Sequence, residues 1–147
     1  MSENRTVGYT SGVFDMFHVG HLRILAQARS MCDHLIVGVS TDELVENYKG
    51  KTPIIPFEHR KEIVSAIKYV DTVVAQNERD KFAAWERYQF NVMFVGDDWK
   101  GKPFFQEAEK RLRAVDVEVV YFPYTKGVSS SRLTQVLELI EQNASNV

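Results

Sequence analysis

Residues 12–25 read "GVFDMFHVGHLRIL": the end of a buried strand that becomes an amphipathic helix, with His18 and His21 at the join. A strand handing over directly to a helix is the repeating unit of an α/β sheet. The head of such a helix offers unpaired backbone N–H groups and a partial positive charge, which together favour a phosphate. Residues at i and i+3 share a helix face, so both imidazoles can address one anion. Gly20 between them lets a ligand come close to the backbone. The plainer alternative is a pair of structural histidines. A zinc site with Asp15 would be short of ligands, and the single cysteine, Cys32, does not complete one. No Gly-x-Gly-x-x-Gly or Walker lysine motif is present.

Working outward, short β-branched runs alternate with helical patterns. Strands are expected at 6–14, 34–40, 71–76, 92–97 and 117–123, several of them continuous apolar runs of the kind covered on both faces by helices. Helices are expected at 18–31, 56–69, 79–89, 103–115 and 129–143, the last with Leu133, Val136, Leu137 and Ile140 at three-to-four spacing. The expected fold is a single-domain α/β three-layer sandwich, Rossmann-like, with a five-stranded parallel sheet in the order 3-2-1-4-5. Ligands in such sheets bind beyond the carboxyl ends of the strands, where strand order reverses.

Composition sets the outer bounds. The chain has 147 residues, of which 44% are hydrophobic and 26% charged, with a net charge of −2. This is the balance of one globular domain over 1–147, with an ordered core at 7–142 and frayed ends. There is no overall basic field calling for nucleic acid or an anionic membrane, so any anion site must be local. With one cysteine and no apolar run resembling a signal peptide or a span, a cytoplasmic protein is expected.

The other strand ends carry their own signals. Lys49 and Lys51 flank Gly50 ahead of a segment with Pro53 and Pro56. In the helix starting near Phe57, Arg60 falls on the stripe of Ile63, Val64 and Ile67, where a charge must either snorkel or meet an anion. Anion contact is the favoured reading. "VGDDWKGK" holds Gly96, Asp97, Asp98 and Trp99 just past the fourth strand. "TKGVSSSRL" reads as a glycine turn, Gly127, into a helix capped by Ser129.

Together, "GVFDMFHVGHLRIL", "STDELVENYKGK", "FEHRKEIVSAIKYVDTVV", "VGDDWKGK" and "TKGVSSSRL" resemble the ordered motifs of the cytidylyltransferase-type nucleotidyltransferases, those with a His-x-Gly-His signature. The similarity runs from Val7 to Leu139 and is nearest to the glycerol-3-phosphate cytidylyltransferases. It implies transfer of a cytidylyl group from CTP to a small phospho-alcohol, with Mg2+ carried on the triphosphate. Phosphoethanolamine or phosphocholine as acceptor, or ATP as donor, would keep the class. A catalytically inactive nucleotide-binding subunit would not.

By the same resemblance, His18, His21, Lys49 and Arg60 do the catalytic work. The nucleotide and its phosphates meet Val13, Phe14, Asp15, Gly20, Lys51, Gly96, Asp97, Thr125, Gly127, Ser129 and Ser130. Lys68, Asp98, Trp99, Tyr124 and Lys126 border the second substrate. The family has arginine where Lys68 stands, and Arg-Thr-Glu-Gly where this chain has Tyr124-Thr125-Lys126-Gly127. A homodimer is implied as well.

Overall fold

The structure is a computed structural model that describes residues 5–123 and 130–145. The elements run β1 (Val7–Gly12), α1 (Val19–Ser30), β2 (His34–Ser40), α2 (Asp42–Lys49), α3 (Phe57–Ser65), β3 (Thr72–Gln76), α4 (Lys81–Tyr88) and β4 (Val92–Gly96). A 3-10 turn (Asp97–Trp99), α5 (Pro103–Ala114), β5 (Glu118–Phe122) and α6 (Ser130–Ser145) complete the chain.

All five strands are parallel and lie in the order β3-β2-β1-β4-β5, as expected from the sequence. The period-2 alternation of side chains sends alternate strand residues to opposite faces. Leu35, Val37, Val39, Val92 and Phe94 face α1 and α3 through Leu25, Ala28 and Val64. Ile36, Met93, Val95 and Val119 face α4 and α5 through Ala84, Phe105 and Leu112. The chain leaves β1 towards β2 and β3, then crosses back to β4 and β5. The switch point therefore lies between the carboxyl ends of β1 and β4.

Two elements differ from the sequence reading. Residues 42–49 form a helix where only a connection was expected. Thr41 Oγ1 accepts from the Leu44 N–H, Asp42 and Glu43 occupy the first turn, and Gly50 ends the helix at φ 74°. That conformation suits glycine because it has no Cβ to clash. The stripe on α6 is present but joins neither core cluster, and Leu133, Val136, Leu137 and Ile140 stay between 40% and 58% exposed. No helix among the described residues is long and apolar enough to cross a membrane.

Candidate active site

The β1–α1 connection is held in an uncommon shape. Phe14 and Met16 both have left-handed backbones, φ 56° and 47°. Each costs on the order of 1 kcal/mol for a residue with a Cβ. Asp15, between them, offsets that cost by reaching across to another loop. Its Oδ2 accepts from the Ile54 N–H at 2.9 Å, and its Oδ1 from the Ile55 N–H at 2.8 Å. The loop after β1 and the proline-flanked loop before α3 are thereby fastened together.

Arg60 fastens the same corner from below. It is 1% exposed. Its guanidinium donates to the carbonyls of Ile55 (2.8 Å), Val13 (2.7 Å) and Ser40 (2.8 Å), and to Asp42 Oδ1 at 2.6 Å. The charge on the buried stripe, for which the sequence favours contact with an anion, meets the Asp42 carboxylate and three carbonyls. The stripe itself also shifts, because Ile63 is exposed while Arg60 and Val64 are buried.

His18 and His21 stand at the head of α1. His18 Nδ1 accepts from the Gly20 N–H at 3.0 Å, and His21 Nδ1 accepts from the His18 N–H at 3.2 Å. Each ring caps the helix with Nδ1, so in its neutral form the proton sits on Nε2. The rings stack at 4.0 Å between centroids, and Phe14 and Phe17 pack on His21 at 5.4 and 5.1 Å. Burial, and then the neighbouring His18, bring the His21 pKa down to about 4, with Asp15 opposing. Burial lowers that of His18 too. At neutral pH the pair is thus two uncharged rings, each with an Nε2–H donor. Gly20 is buried, and its N–H serves His18. The His18 and Gly20 N–H groups are taken up by imidazole nitrogens, and the two Nε2–H groups remain as donors at the helix head.

The remaining expected residues are scattered more widely. Lys49 is exposed on the last turn of α2, and Lys51 is exposed with its ammonium 3.2 Å from Glu138 of α6. Gly96 ends β4, and Asp97 and Trp99 follow it at the switch-point edge, with Asp97 exposed. Trp99 is half-buried, edge-on to Phe104 and Phe105, both at 5.3 Å.

Lys68 is not brought to this edge. α3 runs back antiparallel to the strands, so Lys68 lies by the amino end of β3, where Asp71 N–H bonds the Leu35 carbonyl. Its expected place beside the second substrate is thus not at the edge that carries the histidines. Tyr124, Thr125, Lys126, Gly127 and Ser129 lie outside the described residues, as do the side chains of Asp98 and Ser130. The backbone of Ser130 opens α6. Among the described residues no group of three or more His, Cys, Asp or Glu side chains converges on a metal position.

Sequence reasoning missed Asp42, the partner of Arg60, and Lys81 at the first position of α4. Lys81 is 5% exposed, and burial followed by Arg79 brings its pKa down to about 7, with Asp80 opposing. A faint signal was available, since a cation in the first turn opposes the helix dipole.

Comparison with known proteins agrees with this geometry. A family model described as Cytidylyltransferase-like matches residues 9–136. The glycerol-3-phosphate cytidylyltransferase of Bacillus spizizenii is 37% identical over 126 residues, covering 84% of this chain and 91% of that one. An FAD synthase of Pyrococcus horikoshii is 33% identical over 134 residues, covering 89% of each chain. Among solved structures, the lipopolysaccharide core biosynthesis protein of Thermoplasma volcanium superposes with a TM-score of 0.68 at 27% identity, covering 85% of this chain and 100% of that one. The parallel sheet, the imidazole pair at its switch point and these similarities place the chain in the cytidylyltransferase-like family of nucleotidyltransferases.

Proposed function

We propose that the chain transfers a cytidylyl group from CTP to a small phospho-alcohol, glycerol 3-phosphate being the first candidate, and releases pyrophosphate. An oxygen of the acceptor phosphate attacks the α-phosphorus, the bond from that phosphorus to the bridging oxygen breaks, and pyrophosphate carries away the electron pair. This is work of positioning and charge stabilisation, with no covalent enzyme intermediate needed.

The observation that carries the reading is the pair of Nε2–H donors at the head of α1, locked by their own Nδ1 bonds. Donors fixed in advance cost no reorganisation as charge grows on the phosphorus. Phe14 and Asp15 hold the loop beside them, and Arg60 is a positioning residue beneath it. Lys49 and Lys51 would meet the triphosphate, Lys51 leaving Glu138 to do so. An exposed pair is worth at most about 1 kcal/mol, so the exchange is easy. Magnesium keeps most of its waters and rides on phosphate oxygens, so it requires no protein cage. It would neutralise charge on the triphosphate when bound. Thr125, Gly127, Ser129 and Ser130 are proposed for the β- and γ-phosphates by family likeness, and a homodimer on the same ground.

Because an FAD synthase is among the similar proteins, ATP as donor is the second reading. A plate of CTP, ATP, UTP and GTP against phospho-alcohols, read by pyrophosphate release, separates the two. CTP preference with glycerol 3-phosphate is expected, and ATP preference would overturn the cytidylyl assignment.

A further inference from the structure

Tyr9, in the middle of β1, carries a hydroxyl that its packing does not require. The residue is wholly buried, and its ring stacks on Phe90 at 4.7 Å and on Tyr88 at 6.0 Å. A phenylalanine would fill the same space and bring no polar atom to satisfy. The hydroxyl donates to Oε1 of Gln76, the last residue of β3, which is 4% exposed. The Gln76 amide is used at both ends, because its Nε2 donates to the Glu78 carbonyl in the loop that follows.

The bond passes over β2, and the sequence leaves room for it. Tyr9 is paired with Ile36 and Gln76 with Ser40, so the residue beneath the line between them is Gly38, on the same face. A Cβ there would stand 2.5 Å from the Tyr9 hydroxyl and 2.9 Å from Gln76 Oε1. Glycine weakens a strand interior, and here it admits a polar bond that spans three strands.

The line leads to α2. The Gln76 carbonyl accepts from the Thr41 N–H at 3.1 Å, which seats the residue that caps α2. At the other end of α2, Arg79 rests on the Tyr48 ring at 4.5 Å, and the Lys49 ammonium lies 5.7 Å from the same ring. Arg79 follows Glu78 directly, and the second ring it rests on, Phe104 at 4.6 Å, belongs to α5. The loop at 77–79 is thus a brace between α2 and α5, and Gln76 holds the brace. A buried polar network with every member satisfied fixes one arrangement of the groups it joins.

We propose that Tyr9 is a positioning residue: through Gln76 and the loop at 77–79 it sets the end of α2, and with it the place of Lys49 at the triphosphate. The assignment rests on the nucleotidyltransferase reading above. It gives a residue of the sheet core, with no access to substrate, a part in nucleotide binding.

The test uses Tyr9→Phe, alone and combined with Gln76→Met, in the full chain, each assayed well below its melting temperature. The single variant leaves the Gln76 oxygen buried without its donor, so its melting temperature is expected to fall. Its KM for CTP is expected to rise about tenfold, within what displacing a group far from the chemistry can cost. Replacing both partners by apolar groups of similar shape is close to neutral for stability. The double variant is therefore expected to recover the melting temperature while its KM for CTP stays raised. A wild-type KM in the double variant would make the bond merely structural and overturn the proposal, as would an unchanged KM in Tyr9→Phe. If the wild type releases no pyrophosphate with any acceptor, the reaction assignment fails first. Hydrogen exchange of the unliganded proteins then decides the positioning by itself. Faster exchange over 42–49 and 77–80 in the double variant supports it, and exchange equal to that of the wild type overturns it.

Discussion

Arg60 Nη2 lies 2.6 Å from Asp42 Oδ1, joining the first turn of α3 to the first turn of α2 with the arginine side chain wholly buried. The same guanidinium holds the carbonyls of Val13 and Ser40, so three loops at the carboxyl edge of the sheet depend on one side chain. Removing the arginine leaves three carbonyls and the partly exposed Asp42 carboxylate without their donor, and a cavity where the guanidinium stood. Arg60→Ala is expected to cost about 3–5 kcal/mol in urea unfolding. Arg60→Lys should retain part of this, since lysine keeps the charge but not the fork of donors.

The histidines have two separable duties, and a cap-preserving substitution divides them. His18→Ala is expected to cost about 1 kcal/mol of stability through loss of the helix cap. It should also lower kcat by about two to three orders of magnitude through loss of the Nε2–H donor. His18→Asn restores the cap and the melting temperature and leaves kcat low. Recovery of turnover with the cap would remove the imidazole from the chemistry.

Asp15→Ala removes the acceptor for two N–H groups and releases the loop that holds Phe14 and Met16 in left-handed conformations. The expected cost is about 1–3 kcal/mol, together with a drop in kcat as the imidazoles lose their fixed platform. Thermal melting and steady-state kinetics on the one variant check both parts.

Acid should destabilise the unliganded protein through His21. Its folded pKa of about 4 lies below the ordinary 6.5, so between these values the unfolded chain binds more protons than the folded one. Stability is therefore full above about pH 6.5 and is lost as pH falls towards 4. Protonated Nδ1 would also lose its bond from the His18 N–H. In urea titrations across this window, His21→Gln is expected to show a flatter decline than the wild type, and an equal slope would contradict the assignment.

Most of the fold is legible in the sequence because its strands are buried on both faces and separated by helical patterns. The continuous run at 34–40 and its parallel pairing illustrate this. Residues 42–49 do not stand out as a helix in the sequence, although Thr41, the two acids and Gly50 are a start and stop signal. They sit in a motif that reads as a loop around Lys49. The stripe position of Arg60 was visible, but its partner was not, since Asp42 lies 18 residues upstream and meets it only through the fold. Lys68 shows the converse: a residue close to Arg60 in sequence follows α3 to the opposite edge of the sheet. Lys81 was hidden because burial depends on how α4 packs, which a single lysine code does not reveal.

The most direct test of the account is pyrophosphate release from CTP with glycerol 3-phosphate and magnesium, measured on the wild type and His21→Ala side by side. The account predicts stoichiometric pyrophosphate and a cytidine-diphosphate alcohol from the wild type, with a rate about two to three orders of magnitude lower in a folded variant. Equal rates in the two proteins, or no pyrophosphate from the wild type with any phospho-alcohol, would contradict it.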